Sequence, residues 1–132
     1  MSNCPADLLN EAKNALPHAY APYSNFPVAA SIRTTSGQLF SGINVENASY
    51  SLTCCAEKNA ISTMAMMGER KIAEALILVP GPKLCPPCGA CRQILLEFAV
   101  SDCPIHLCTE TGEHRCYTLE QLLPITFNSD HL

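Results

Sequence analysis

The sequence predicts an α/β fold, a sheet with helices packed on both faces. Stretches with apolar residues at helical spacing alternate along the chain with short strand-like stretches, the pattern of a layered α/β domain. One of these, residues 75–79 (Ala-Leu-Ile-Leu-Val), is apolar without interruption, as a central strand covered on both sides must be. The length of 132 residues suits one domain, 1–132, with a real core but no room for a second.

The elements follow in order. Residues 7–20 read as a helix, with Leu8, Leu9, Ala12, Leu16 and Ala19 on one face and Pro17 set to kink or shorten it. Pro22 and Pro27 break the pattern. Residues 28–34 and 39–45 form an expected hairpin around Thr35-Ser36-Gly37. A second helix spans 55–67 and stops at Gly68, the usual residue past a helix end. The strand 75–79 is cut off by Pro80-Gly81-Pro82. A third helix covers 89–99, strands follow at 105–108 and 115–118, and a short helix at 119–123 ends before Pro124.

Composition narrows the function classes. The formal net charge is −4, and of the eight basic residues only Arg70 and Lys71 are adjacent, so no stripe exists to neutralise a run of phosphates; nucleic acid is not expected as a partner. No stretch approaches the roughly 18–20 apolar residues that span a bilayer, so no membrane partner is expected. The start, Met1-Ser-Asn-Cys-Pro-Ala-Asp, has neither a basic nor an apolar leader region, which points to a cytoplasmic protein. A charged fraction of 15%, against about 25% for an average soluble protein, fits a surface partly buried between subunits.

There are nine cysteines, and in a reducing compartment clusters of them bind metal or do chemistry more often than they form disulfides. Cys4, Cys103, Cys108 and Cys116 have no ligand spacing and read as isolated structural thiols. The remaining five group as Cys54-Cys55 and as Cys85-Pro-Pro-Cys88-Gly-Ala-Cys91, each just before a helix. At a helix start, free N–H groups and the positive dipole end stabilise thiolates. The cysteines alone leave a structural metal, a catalytic metal and a redox pair all open; the run from Cys85 also resembles part of an iron–sulfur ligand series.

Glu57 stands two residues after Cys55. Beside a thiolate cluster its carboxyl should be held above the ordinary value, which suits a group that accepts a proton from water and passes it on. An acidic residue in a first helical turn also serves simply to offset the helix dipole. Cys55-Ala56-Glu57 followed by Pro87-Cys88-Gly89-Ala90-Cys91 resembles the zinc-dependent nucleobase deaminases, in which three cysteines or one histidine and two cysteines hold the metal and a nearby glutamate is not a ligand. With Tyr20-Ala-Pro-Tyr-Ser-Asn-Phe26, Asn44-Val-Glu46-Asn-Ala-Ser-Tyr50 and Leu122-Leu-Pro-Ile-Thr-Phe127 in the same order, the chain is similar to the small single-domain cytidine deaminases from about Leu8 to Phe127.

That resemblance implies a three-layer α/β/α fold on a mixed five-stranded sheet. It implies one zinc ion per chain on Cys55, Cys88 and Cys91, with a fourth position for water. It also implies hydrolysis of cytidine, and of 2′-deoxycytidine, to uridine or deoxyuridine plus ammonia. In that reaction a zinc-activated hydroxide attacks the amino-bearing ring carbon and Glu57 shuttles the proton. Asn44 and Glu46 would bind the ribose hydroxyls, Phe26 would pack near base and sugar, and Ala56 would offer backbone groups to the base. Tyr50 and Phe127 resemble positions that reach a neighbour's site in a homotetramer. Lys58 stands where the family commonly carries Arg, Ala29 where Gly is usual, and Pro86 where a hydroxyl residue is frequent. Lysine lacks the planar fork that can bond two sulfurs, so the acidity of the metal's water is the property most open to change. Cys54 and Cys85 are expected not to be ligands.

Overall fold

The computed structural model describes residues 4–132. Residues 1–3, the start of the N-terminal stretch considered above, lie outside them. Helix α1 (Ala6–Ala15) turns Leu8 and Ala12 inward, and Leu16, in the following tight turn Leu16–His18, continues that face. The helix is shorter than the expected 7–20 because Pro17 has no N–H to extend the hydrogen-bond ladder. Ser31 donates from its hydroxyl to the Leu8 carbonyl at 2.7 Å, fastening this helix to the strand beneath it.

Strands β1 (Ala29–Thr34) and β2 (Leu39–Ile43) form the expected antiparallel hairpin, Ala29 facing Ile43 and Arg33 facing Leu39. Gly37 closes the turn at φ 91°, which a residue with a Cβ adopts only at a cost. The second strand stops two residues earlier than expected. Val45 leaves the sheet and makes single bridges to Tyr20 and Cys54, so the chain after Ile43 is free to shape the site.

Helix α2 (Ala56–Met66) leads to β3 (Ile72–Val79), α3 (Gly89–Phe98), β4 (Pro104–Thr109), β5 (His114–Thr118) and a one-turn α4 (Leu119–Leu122). The sheet order is β2-β1-β3-β4-β5; only β3 and β4 are parallel, joined by the crossover through α3. The central strand begins earlier than expected because Glu74 interrupts its apolar run. That carboxylate is paired on both sides, with Arg33 at 3.3 Å and His106 at 2.6 Å.

Alternation along the strands separates two cores. Ala30, Ile32, Ala75, Ile77, Ile105 and Leu107 face α2 and α3, while Ala29, Leu76, Leu78 and Cys108 face α1. Each fully buried leucine here stabilises the fold by roughly 1.5–3 kcal/mol. The sheet thus has helices on both faces, as expected.

One expectation is overturned. Cys4 and Cys108 are not isolated thiols but a disulfide, tying the start of α1 to β4 across 104 residues. Local spacing carries no trace of a pair that only the sheet brings together.

Candidate active site

Two helix N-termini converge on one point. Cys55 is the N-cap of α2 and Cys88 the N-cap of α3, positions where Ser, Thr, Asp or Asn is usual. The Cys88 sulfur caps its helix by accepting from a first-turn N–H, which favours its thiolate, whereas the Cys55 sulfur makes no such bond. Cys91, one turn into α3, donates its backbone N–H to the Cys88 sulfur at 3.5 Å. The sulfurs of Cys55, Cys88 and Cys91 all lie within 4.8 Å of one another. Zinc–thiolate bonds of about 2.3 Å in a tetrahedron require sulfurs roughly 3.7 Å apart, so the three fit one zinc ion with small adjustments. Cys54 and Cys85 stand outside the group, so among the described residues no fourth sulfur joins the three. That is the open arrangement of a catalytic rather than a structural centre.

Burial raises the Cys55 and Cys91 thiols above their ordinary value. Burial pushes Cys88 the same way, but N–H groups of Cys91 and Ala90 and the neighbouring thiols outweigh it and leave Cys88 lowered. Three thiols this close resist ionising together, and a dication among them removes that conflict.

Glu57, the second residue of α2, is only 6% exposed. Burial raises its carboxyl above the usual range, opposed by hydrogen bonds from its own N–H and the Cys91 thiol. It lines a cavity of about 170 Å³ with Cys55, Cys88, Ala56, Asn44 and Thr53, and Cys85 and Pro86 complete the wall. Ala56, at the head of α2, is buried against this space. A second hollow of about 370 Å³ adjoins it, sharing Thr53 and lined by Glu46, Tyr50, Tyr23, Ser24 and Asn47.

Asn44 and Glu46 therefore divide between the two hollows, and each has a partner the sequence did not disclose. The Asn44 amide accepts from the Val28 N–H at 3.0 Å and donates to the Phe26 carbonyl at 2.9 Å, clamping the segment that carries Phe26. Glu46 accepts from the N–H groups of Tyr23 and Ser24 at 2.9 and 3.1 Å and from the Ser24 hydroxyl. Those bonds, the hydroxyl's foremost, hold its carboxyl below the ordinary value and so keep it charged.

Phe26 and Phe127 line neither hollow. Phe127 is 58% exposed, stacks on His131 and is anchored through its carbonyl by Gln93 of α3 at 2.9 Å. Tyr50 is 77% exposed and meets Tyr23 edge-on, ring centres 6.3 Å apart. Lys58 is exposed and makes no salt bridge among the described residues. Sequence reasoning missed Thr53 between the two hollows, and Tyr23 and Ser24 behind Glu46. It also missed Asn59, which donates to the Ile43 carbonyl at 2.7 Å and pins α2 to β2.

The same seam carries the closest approach made at any glycine of the chain. A Cβ on Gly42 would stand 2.3 Å from the Ala60 nitrogen and 2.5 Å from the Ala56 carbonyl oxygen. Its φ is not positive, so this glycine answers a need for space, not for an unusual backbone angle. Without it the first turn of α2 could not lie on the sheet where it places Cys55 and Glu57.

Three clustered cysteine sulfurs with a buried carboxyl beside them, on a mixed α/β sheet, are the arrangement of the zinc-dependent deaminases. Residues 2–107 match the family model described as the cytidine and deoxycytidylate deaminase zinc-binding region. A cytidine deaminase of Sporosarcina psychrophila is 36% identical over 125 residues, 95% of this chain and 92% of that one. Another from Halalkalibacterium halodurans is also 36% identical, covering 95% of each chain. The crystal structure of cytidine deaminase from Burkholderia pseudomallei superimposes with a TM-score of 0.88 at 38% identity, over 96% of this chain and 100% of that one. The chain belongs to the cytidine and deoxycytidylate deaminase family.

Proposed function

We infer that residues 1–132 act as one domain that hydrolyses the 4-amino group of cytidine, and of 2′-deoxycytidine, with one zinc ion per chain on Cys55, Cys88 and Cys91. The observation that carries this reading is Glu57: a buried carboxyl that lines one cavity with Cys55 and Cys88, two of the three clustered sulfurs, and hydrogen-bonds the third, Cys91. When bound, zinc acidifies a coordinated water toward neutrality. Glu57 takes the proton released as the water oxygen bonds to the ring carbon, and delivers it to the adjacent ring nitrogen. It then carries a proton to the amino nitrogen as the carbon–nitrogen bond breaks, so that cytidine and water become uridine and ammonia. A carboxyl that burial raises above its ordinary value suits both halves of that task.

The pyrimidine occupies the smaller cavity, with backbone groups of Ala56 at its edge. The sugar extends past Thr53 toward Glu46, whose charged carboxylate suits ribose hydroxyls. Asn44 contributes its remaining amide hydrogen, the other being held by the Phe26 carbonyl. Tyr50 and Phe127, exposed in the single chain, complete a neighbour's site in a homotetramer. Thiolate ligands and a free nucleoside substrate suit nucleoside salvage in the cytoplasm. The lack of a basic stripe argues against a base within nucleic acid.

Glu57→Gln tests the reading. The amide keeps the shape and cannot shuttle a proton, so turnover of cytidine, followed by ultraviolet absorbance, should fall by about 10²–10⁴-fold while zinc content is unchanged. A variant that keeps both zinc and full turnover would remove Glu57 from the mechanism. Wild type that holds zinc and leaves cytidine untouched would remove cytidine as substrate.

A further inference from the structure

On the face of the sheet opposite the active site lies a second cluster of metal-binding side chains. Cys4, Cys108 and His114 each bring a ligand atom within 4.8 Å of the others. Cys108 and His114 are cross-strand partners of β4 and β5, and Cys4 arrives from the residue before the N-cap of α1. We propose that, with the Cys4–Cys108 bond open, these three residues form a second site for a thiophilic divalent cation of the zinc type, with solvent in the fourth position.

Three independent features support it. The Cα atoms of Cys4 and Cys108 stand 7.2 Å apart, outside the roughly 4.4–6.8 Å usual for a disulfide and wide enough for an ion between the sulfurs. His114 is backed by a relay: its Nε2 lies 3.1 Å from Nδ1 of His106, whose Nε2 lies 2.6 Å from the Glu74 carboxylate. The two imidazoles stack with centres 5.4 Å apart. A carboxylate behind a histidine ring fixes its orientation and tautomer, the usual support of a ligating histidine. Charge also balances. Two thiolates and a dication sum to zero, so the buried Cys108 ionises without an uncompensated charge next to Leu76 and Leu78.

The disulfide and the metal exclude each other, because a joined sulfur is no thiolate. A phosphine opens the bond by giving two electrons. It leaves as phosphine oxide with the oxygen of one water, whose two protons go to the sulfurs, and the cation then displaces both. Full-length protein treated in this way without air, equilibrated with zinc and dialysed should carry two zinc ions per chain by mass spectrometry of the metal. Cys4→Ser and His114→Gln should each carry one and keep wild-type deaminase activity. Cys88→Ser, which removes an active-site ligand, should also carry one, and Cys88→Ser combined with Cys4→Ser none. Cys4 and His114 are only partly buried, so loss of metal in those variants is not a loss of the core. One zinc in the reduced wild type, or two in either single variant of the second site, overturns the proposal.

Discussion

Adding one methyl group at Gly42 probes the contact on which the active site rests. The new Cβ would meet the Ala60 nitrogen at 2.3 Å, the Ala56 carbonyl at 2.5 Å and the Ala60 Cα at 2.9 Å, all backbone atoms with no rotamer to turn away. Restoring ordinary contact moves α2 off the sheet by about 1 Å, and Cys55 and Glu57 travel with it. Overpacking of this kind costs roughly 1–3 kcal/mol, a fall in Tm of about 4–11 °C for a domain of this size. The functional effect should be larger, since metal sites tolerate only about 0.2 Å in ligand distance and a 1 Å misplacement costs on the order of 10²-fold in rate. Calorimetry, zinc content and cytidine turnover of Gly42→Ala read all three. Gly37→Ala is the control. It sits at φ 91° with nothing within 4 Å of its Cβ, so it should lose about 1–2 kcal/mol from backbone strain alone and keep its zinc. If Gly42→Ala melts, binds zinc and turns over like wild type, the close approach of α2 to β2 does not position the site.

Other expectations are separable. Glu46→Gln removes the charged acceptor, and kcat/KM for cytidine should fall roughly 10- to 100-fold, mostly through KM, with zinc retained; an unchanged KM would take the sugar away from that hollow. Cys54→Ser and Cys85→Ser should each keep one zinc at the active site, and loss of it in Cys85→Ser would make that sulfur a ligand. Arg33, hydrogen-bonded to Asp7, holds the Asp7 carboxyl at about 2 against an ordinary 3.8. A lowered carboxyl stabilises the fold above its unfolded value and loses that contribution as the pH drops toward its folded one. The difference between wild type and Asp7→Asn in urea denaturation should therefore be present at pH 6 and shrink between about pH 4 and pH 2. A difference independent of pH would assign it to something other than the ion pair.

What was legible in the sequence was what is local along the chain. Cys55, Glu57, Cys88 and Cys91 lie at the starts of two helices, so spacing placed them locally, while the choice of these residues as ligands and proton carrier came from the family resemblance. A sheet with helices on both faces likewise followed from alternation and from the apolar run that became the core of β3, while the mixed five-stranded form was what the resemblance implied. What stayed hidden depends on distant segments meeting. Cys4 and Cys108 are 104 residues apart, Glu46 is held by Tyr23 and Ser24 from another loop, and Gly42 is required only because α2 lands on it. Pro17 was visible, but whether it would kink or end its helix was decided by how the next turn packs Leu16.

The placement of the three sulfurs has a consequence for how the chain is held together. Cys55 precedes β3 and Cys88 follows it, so an ion shared by them ties a loop of roughly thirty residues around the central strand. Closing such a loop removes about 4 kcal/mol of freedom from the unfolded chain, a large share of the roughly 5–15 kcal/mol that separates folded from unfolded domains. An ion held on the proposed ligands would thereby also fasten the chain's topology. Chelation should loosen the middle of the sheet as well as silence the enzyme.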